Sequence, residues 1–134
     1  MGIQADVTGM AAVIYLIATG GVVTFQLALA LGVPWGSYAM GGAFPGRFPA
    51  AMRAAAIGQA VLLVLMAAVV LSRTGFVLAD WAAASEWSIW IVVAFGAVSV
   101  VLNAITPSTV ERRVWLPVTL LMLACSLTVA LTGE

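Results

Sequence analysis

Every charged side chain in this 134-residue sequence lies outside, or close to the ends of, four apolar stretches at residues 10–31, 54–71, 87–106 and 109–131. A helix needs about 20 predominantly apolar residues to cross the roughly 30 Å hydrocarbon core of a bilayer. The second stretch is short, and is lengthened backward through Ala50 and Ala51 with Arg53 snorkelling to the headgroups, or forward through Ser72 and Arg73. Apolar spans of this length predict an all-α fold, an integral membrane four-helix bundle that makes one domain of residues 1–134. Composition agrees, because 64% of residues are hydrophobic and 7% charged, against about 45–50% and about 25% in soluble domains. The first stretch is read as a span and not a cleaved signal peptide. Residues 1–9 carry Asp6 and no Lys or Arg, and 22 apolar residues exceed the usual signal-peptide core.

The five basic residues are all arginines. Arg47 and Arg53 fall between spans one and two, Arg112 and Arg113 between three and four, and Arg73 alone on the opposite side, beside Asp80 and Glu86. The positive-inside rule then predicts both termini outside, in a bacterial inner (cytoplasmic) membrane. No basic stripe exists that could neutralise phosphates, which excludes nucleic acid as a partner.

Thr106-Pro107 is expected to end the third span, since proline disfavours helical geometry in the residue before it. Ser108 and Glu111 fit a Ser-x-x-Glu capping box, predicting that the fourth helix starts at Thr109 and forms a tight hairpin with the third. Pro117 lies inside that helix and predicts a kink. Gly20, Thr24, Ala28 and Gly32, continued by Ala54 and Gly58, make a small-residue strip suited to close helix packing against span two or a second copy. In the outer loop, Phe76, Trp81, Trp87 and Trp90 read as interfacial anchors, and Asp80 as the cap of a short helix beginning at Trp81.

The central parts of the spans carry no Asp, Glu, Lys, Arg or His, the residues that proton relays and coupled pumps use. Without histidine or lysine a serine or threonine lacks its usual base, and the single cysteine, Cys125, forms neither an internal disulfide nor a cysteine-based metal site. No catalytic residue, metal or cofactor is expected. What the spans do hold is three amides, Gln26, Gln59 and Asn103, all in the predicted cytoplasmic half. An unpaired amide in hydrocarbon is costly, so these should face one another, the hydroxyls of Thr24, Ser99 and Thr119, or a wet cavity. Simple interhelical bonding and a ligand site both satisfy that requirement.

Residues 32–49, the loop joining spans one and two, contain five glycines, three prolines, four aromatics and one charge. A solvated linker would be polar. This apolar, Gly/Pro-rich cytoplasmic loop should fold back on the bundle as an ordered element, with Trp35 buried and Tyr38 beside it. Gln26, Trp35, Tyr38, Gln59 and Asn103 are the candidate ligand-binding residues.

The run from Phe25 and Gln26 to Gly32-Val33-Pro34-Trp35-Gly36, the Gly41-Gly42 pair with Pro45-Gly46 and Pro49, and the segment Asn103 to Pro107-Ser108, Glu111-Arg112 and Trp115-Leu116-Pro117 carry a resemblance. They resemble a group of small, uncharacterised bacterial four-span membrane proteins, over nearly the whole chain. The resemblance implies a four-helix membrane fold and no assigned activity, so it transfers no functional residue. The sequence lacks the intramembrane glutamate of small multidrug exporters and the cysteine pair of quinone-reducing four-helix enzymes. The expected function is that of a non-enzymatic membrane protein which self-associates as a homo-oligomer or joins other membrane subunits as an accessory subunit. The alternative is a small transporter or channel for a neutral or lipid-like ligand, with the amides lining a cavity under loop one.

Overall fold

The computed structural model describes residues 2–75 and 79–133. Within them the chain forms four long helices, α1 (Gly2–Ala30), α2 (Ala50–Thr74), α3 (Ala82–Ile105) and α4 (Thr109–Thr132), with three short 3-10 turns and no strand. The shortest have 24 residues, about 36 Å at 1.5 Å per residue. All four are long and apolar enough to cross a membrane, which makes this a multi-pass four-helix membrane bundle.

The helices outrun the apolar stretches because hydropathy marks only the part suited to hydrocarbon, whereas helical hydrogen bonding continues until a cap or a proline stops it. α1 reaches back to Gly2, and α2 absorbs Ala50 to Arg53 and ends at Thr74, with Gly75 as a left-handed C-cap (φ 77°) donating to the Ser72 carbonyl. Arg53 does not snorkel freely. Its Nε donates to the Ala30 carbonyl at 2.8 Å, placing a cation at the negative end of the α1 dipole.

α1 packs against α2 and α4, and α3 packs closely against α4 and more sparsely against α2. The buried faces follow helical spacing: Thr8, Ala11, Ala12, Tyr15 and Thr19 on α1; Ala56, Ala60, Leu63, Met66 and Val70 on α2; Met122, Cys125, Ser126 and Val129 on α4. On α3 only Ser85, Ile89 and Val92 are buried, all in its first half. Large side chains such as Ile17, Leu65 and Val101 point outward on the other faces, as a lipid-solvated surface requires.

The end carrying the chain termini is clasped. Gln4 Nε2 donates to the Thr132 carbonyl at 2.9 Å, and the Thr8 and Thr132 hydroxyls share a hydrogen bond. The end of α4 also abuts α2, since a Cβ on Gly133 would stand 3.0 Å from the Arg73 carbonyl.

At the other end α3 stops at Ile105, Thr106 turns extended before Pro107, and α4 starts at Thr109, as the sequence predicts. Ser108 Oγ accepts from the Glu111 amide at 3.2 Å. The reciprocal half of the capping box is absent, because the Glu111 carboxylate reaches across to loop one instead. α4 runs unbroken through Pro117. Asp80 lies within the 3-10 turn Ala79–Trp81 and is not the cap; Trp81 takes that place without a side-chain hydrogen bond. Phe76 lies outside the described residues. Trp81, Trp87 and Trp90 are exposed near this turn, where interfacial anchors sit.

The small-residue strip does not pack helices within the chain. A Cβ on Gly20 or Gly58 would meet nothing within 4 Å, and Gly32 instead receives the Arg47 guanidinium. The close α1 contacts use the opposite face, through Ala11, Ala12 and Tyr15.

Candidate functional site

Loop one is an ordered element. Two 3-10 turns, Gly36–Tyr38 and Met40–Gly42, are joined by extended Ala39, and the Gly36 amide donates to the Gly46 carbonyl at 2.8 Å to draw the loop's two arms together. Phe48 is buried with Leu29 and Ala56, and packs edge-on against Phe44 with ring centroids 6.0 Å apart. Met40, Gly41 and Gly42 all have positive φ. That geometry is easy for glycine and strained for methionine, and it bends the loop tip onto the α3–α4 turn.

Three contacts hold the tip there. The Gly41 amide donates to Glu111 Oε2 at 2.7 Å, Trp115 Nε1 donates to the Tyr38 carbonyl at 2.8 Å, and Ser108 Oγ donates to the Ser37 carbonyl at 3.3 Å. Loop one therefore crosses the end of the bundle as a roof. Arg112 braces the turn beneath it, donating through Nη2 to the Thr106 carbonyl at 2.7 Å.

Under the roof lies a cavity of about 720 Å³, within the ~300–1,000 Å³ typical of small-molecule sites. Its floor is the tightly packed half of the bundle, at Tyr15, Leu63, Val92 and Met122. Polar groups are concentrated nearer the roof: Gln26 on α1, Gln59 on α2, Ser99 and Asn103 on α3, and Glu111 and Thr119 on α4. Each extends an interior stripe of its helix, Gln26 falling between Val22 and Leu29 and Gln59 between Ala56 and Leu63.

Four of the five candidate residues from the sequence, Gln26, Tyr38, Gln59 and Asn103, line this cavity. The amides do not bond to one another. Asn103 Nδ2 donates to the Ser99 carbonyl of its own helix at 2.8 Å, leaving Oδ1 as a free acceptor, and among the described residues the Gln26 and Gln59 amides have no partner. Thr24 faces outward and bonds back to the Gly20 carbonyl. Ser99 and Thr119 also line the cavity, but among the described residues no amide bonds to their hydroxyls, and Thr119 Oγ1 donates instead to the Trp115 and Leu116 carbonyls.

Trp35 is the exception. It stacks on Phe25 at 6.2 Å with rings nearly parallel, but it does not line the cavity and is 44% exposed. The expected burial of Trp35 is therefore corrected. Phe25 lies between it and Trp115, whose ring is 4.7 Å from Phe25, and Phe48 takes the buried aromatic place in the loop. An indole held at the surface keeps its N–H within reach of water or headgroups.

Glu111, Trp115 and Tyr15 are lining residues that the sequence alone does not mark as ligand-binding. Glu111 and Trp115 were recognisable only as a cap and as part of a resemblance, since their links to Gly41 and Tyr38 span about 70 to 80 residues of chain. Tyr15 had a readable signal, lying about three helical turns before Gln26 and about four before Leu29 on the same face of α1. Comparison with family models, curated proteins and solved structures found no match.

Proposed function

We propose that the protein is a non-enzymatic membrane carrier or binding protein for a neutral, amphipathic molecule held in the roofed cavity. The observation that carries this reading is the pair of unpartnered amides, Gln26 and Gln59, lining the cavity beneath loop one. Amides that served only to staple helices would bond across a helix interface; these leave donors and acceptors available to a guest. The chemistry of the lining also supports binding over catalysis. It offers serine and threonine hydroxyls without His, Lys or Cys, and its one carboxylate, Glu111, is engaged by the Gly41 amide.

The test is mass spectrometry of the protein purified in native lipid nanodiscs. A co-purifying neutral amphiphile is expected, and Gln26→Leu and Gln59→Leu should each weaken its retention roughly 5- to 10-fold, the equivalent of about 1 kcal/mol per hydrogen bond. Thermal stability should not fall in either variant, because neither amide holds two helices together. Reduced stability with unchanged ligand content would overturn the reading.

A second reading, self-association, is favoured by the bare strip. Gly20 and Gly58 are open to a neighbour on the outside of the bundle, where small residues let another helix approach closely. Gly20→Leu and Gly58→Leu should then convert an oligomer to monomer in light-scattering measurements. The same changes should raise monomer stability by roughly 1 kcal/mol each through helix propensity. A monomeric native protein would remove this reading.

We further place the roofed end at the cytoplasmic face, because four of the five arginines flank it. In a Cys125→Ser background, an impermeant thiol reagent applied to intact cells should label a cysteine at Thr132 but not one at Thr109. Asp6→Cys is the cleaner outer reporter, since Thr132 is tied to Thr8 while Asp6 is exposed. Reversed labelling would turn the assignment over.

A further inference from the structure

The cavity wall is closed on one side and open on the other. On α1 and α4 no lining residue is exposed on the outside of the bundle. On α3, burial ends at Val92, and beyond it Val98, Leu102 and Ile105 line the cavity while being 57%, 59% and 70% exposed. Ala55 on α2 does the same. α3 therefore keeps its contact with α4, where Gly96 lets the helix approach Leu123 closely, and parts from α2 along the half that flanks the cavity.

We infer that this α2–α3 seam is a lateral portal, and that the ligand is a membrane-dissolved amphiphile with an uncharged, hydrogen-bonding head and an apolar chain. The inference rests on the reading of the cavity as a ligand site and adds the route and the chemical class. The portal is rimmed by apolar side chains on helices long and apolar enough to cross a membrane, so in lipid an acyl chain would cross it without desolvation while a hydrated solute would not. Loop one crosses the axial end and is tied down there by Glu111, Trp115 and Ser108, although Tyr38 and Met40 line the cavity from the loop while remaining exposed.

Charge selects the head. Arg53 and Arg112 bond to the Ala30 and Thr106 carbonyls, and Arg47 and Arg113 do not line the cavity, so a phosphate inside would have no cation to neutralise it. Hydroxyl or amide groups, by contrast, match Gln26, Gln59 and the Asn103 oxygen. The chain then points through the seam between Ala55 and Leu102, or down against Phe95 and Leu63.

The experiment uses the full chain in phosphatidylcholine nanodiscs with a monoacylglycerol that carries a diazirine on its acyl chain. After photolysis, peptides containing Leu63, Phe95 and Met122 should be labelled. Ala55→Trp combined with Val98→Trp should cut that labelling at least tenfold, whereas Val101→Trp, equally exposed on α3 but outside the cavity lining, should leave it unchanged. Circular dichroism and gel filtration establish that each variant is folded, and either portal substitution alone serves if the pair is not. Undiminished inner labelling in the folded portal variants would overturn the lateral route while leaving the cavity site standing. No inner labelling in the native chain would remove both. Equal inner labelling by an alkyl phosphate or an alkylammonium probe would overturn the uncharged head.

Discussion

Replacing Gly36 by alanine is expected to unseat loop one and to be among the most damaging single-methyl changes in the chain. A Cβ at this position would run into the Phe44 carbonyl oxygen and lie 2.6 Å from that of Gly46. Both obstacles are backbone, so relief requires the two arms of the loop to move apart and break the bond from the Gly36 amide to Gly46. Overpacking of a rigid site costs about 1–3 kcal/mol and sometimes more, and the lost hydrogen bond adds about 1 kcal/mol. Thermal unfolding in nanodiscs should show a marked loss for Gly36→Ala and hydrogen exchange across residues 32–49 should accelerate. Gly46→Ala is the informative contrast: nothing stands within 4 Å of its Cβ, and its cost is confined to a positive φ of 79°.

Glu111→Ala is expected to release the roof without disturbing the helix it caps. The carboxylate accepts the Gly41 amide at 2.7 Å, and a hydrogen bond to a charged group contributes about 1.5–3 kcal/mol. Ser108 continues to cap α4 through the Glu111 backbone amide, so the side chain's loss falls on the loop. Amide exchange should rise at Gly41 and its neighbours by roughly ten- to a hundredfold, with α4 unchanged. Glu111→Gln keeps an acceptor and should recover part of the protection, since a neutral bond has about half the strength of a charge-assisted one. Faster exchange throughout α4 would show instead that Glu111 acts as a helix cap. With the roof loosened, the retained amphiphile of the proposed site should also be lost faster, which ties the loop to the cavity it covers.

The resemblance between sequence expectation and structure is uneven along the chain, in a physically ordered way. Four spans, their hairpin joints, the Thr109 start of α4 and an ordered loop one were all readable. Each depends on local terms: the length of an apolar run against the bilayer thickness, a proline that stops a helix, a serine that caps one, or aromatics too apolar to stay in water. Gln26, Gln59 and Asn103 were readable as unusual for a similar reason, because an amide in hydrocarbon is costly wherever it points.

Which way side chains point was another matter. In water an interior face declares itself by being more apolar than the rest, but in lipid the outer face of a helix is as apolar as the inner one, and the contrast disappears. Thus the strip of Gly20, Thr24 and Gly58 reads as a packing face for span two or a second copy and turns away from span two to the outside of the bundle, while Tyr15 and Leu63 carry the interior. Trp35 reads as a buried anchor and remains nearly half exposed, because only the three-dimensional placement of Phe25 and Phe48 decides which aromatic fills the space. By itself the sequence determined four segments long and apolar enough to cross a bilayer, where the helices turn, and that three amides are costly to leave unpaired. Tertiary structure alone decided that Gln26 and Gln59 line a cavity under a roof while Asn103 bonds back to its own helix, that the Glu111 carboxylate reaches loop one to hold that roof, and that α3 packs more sparsely on α2 than on α4. Those outcomes depend on the rotation and tilt of each helix against its neighbours, set by packing between residues far apart in the chain.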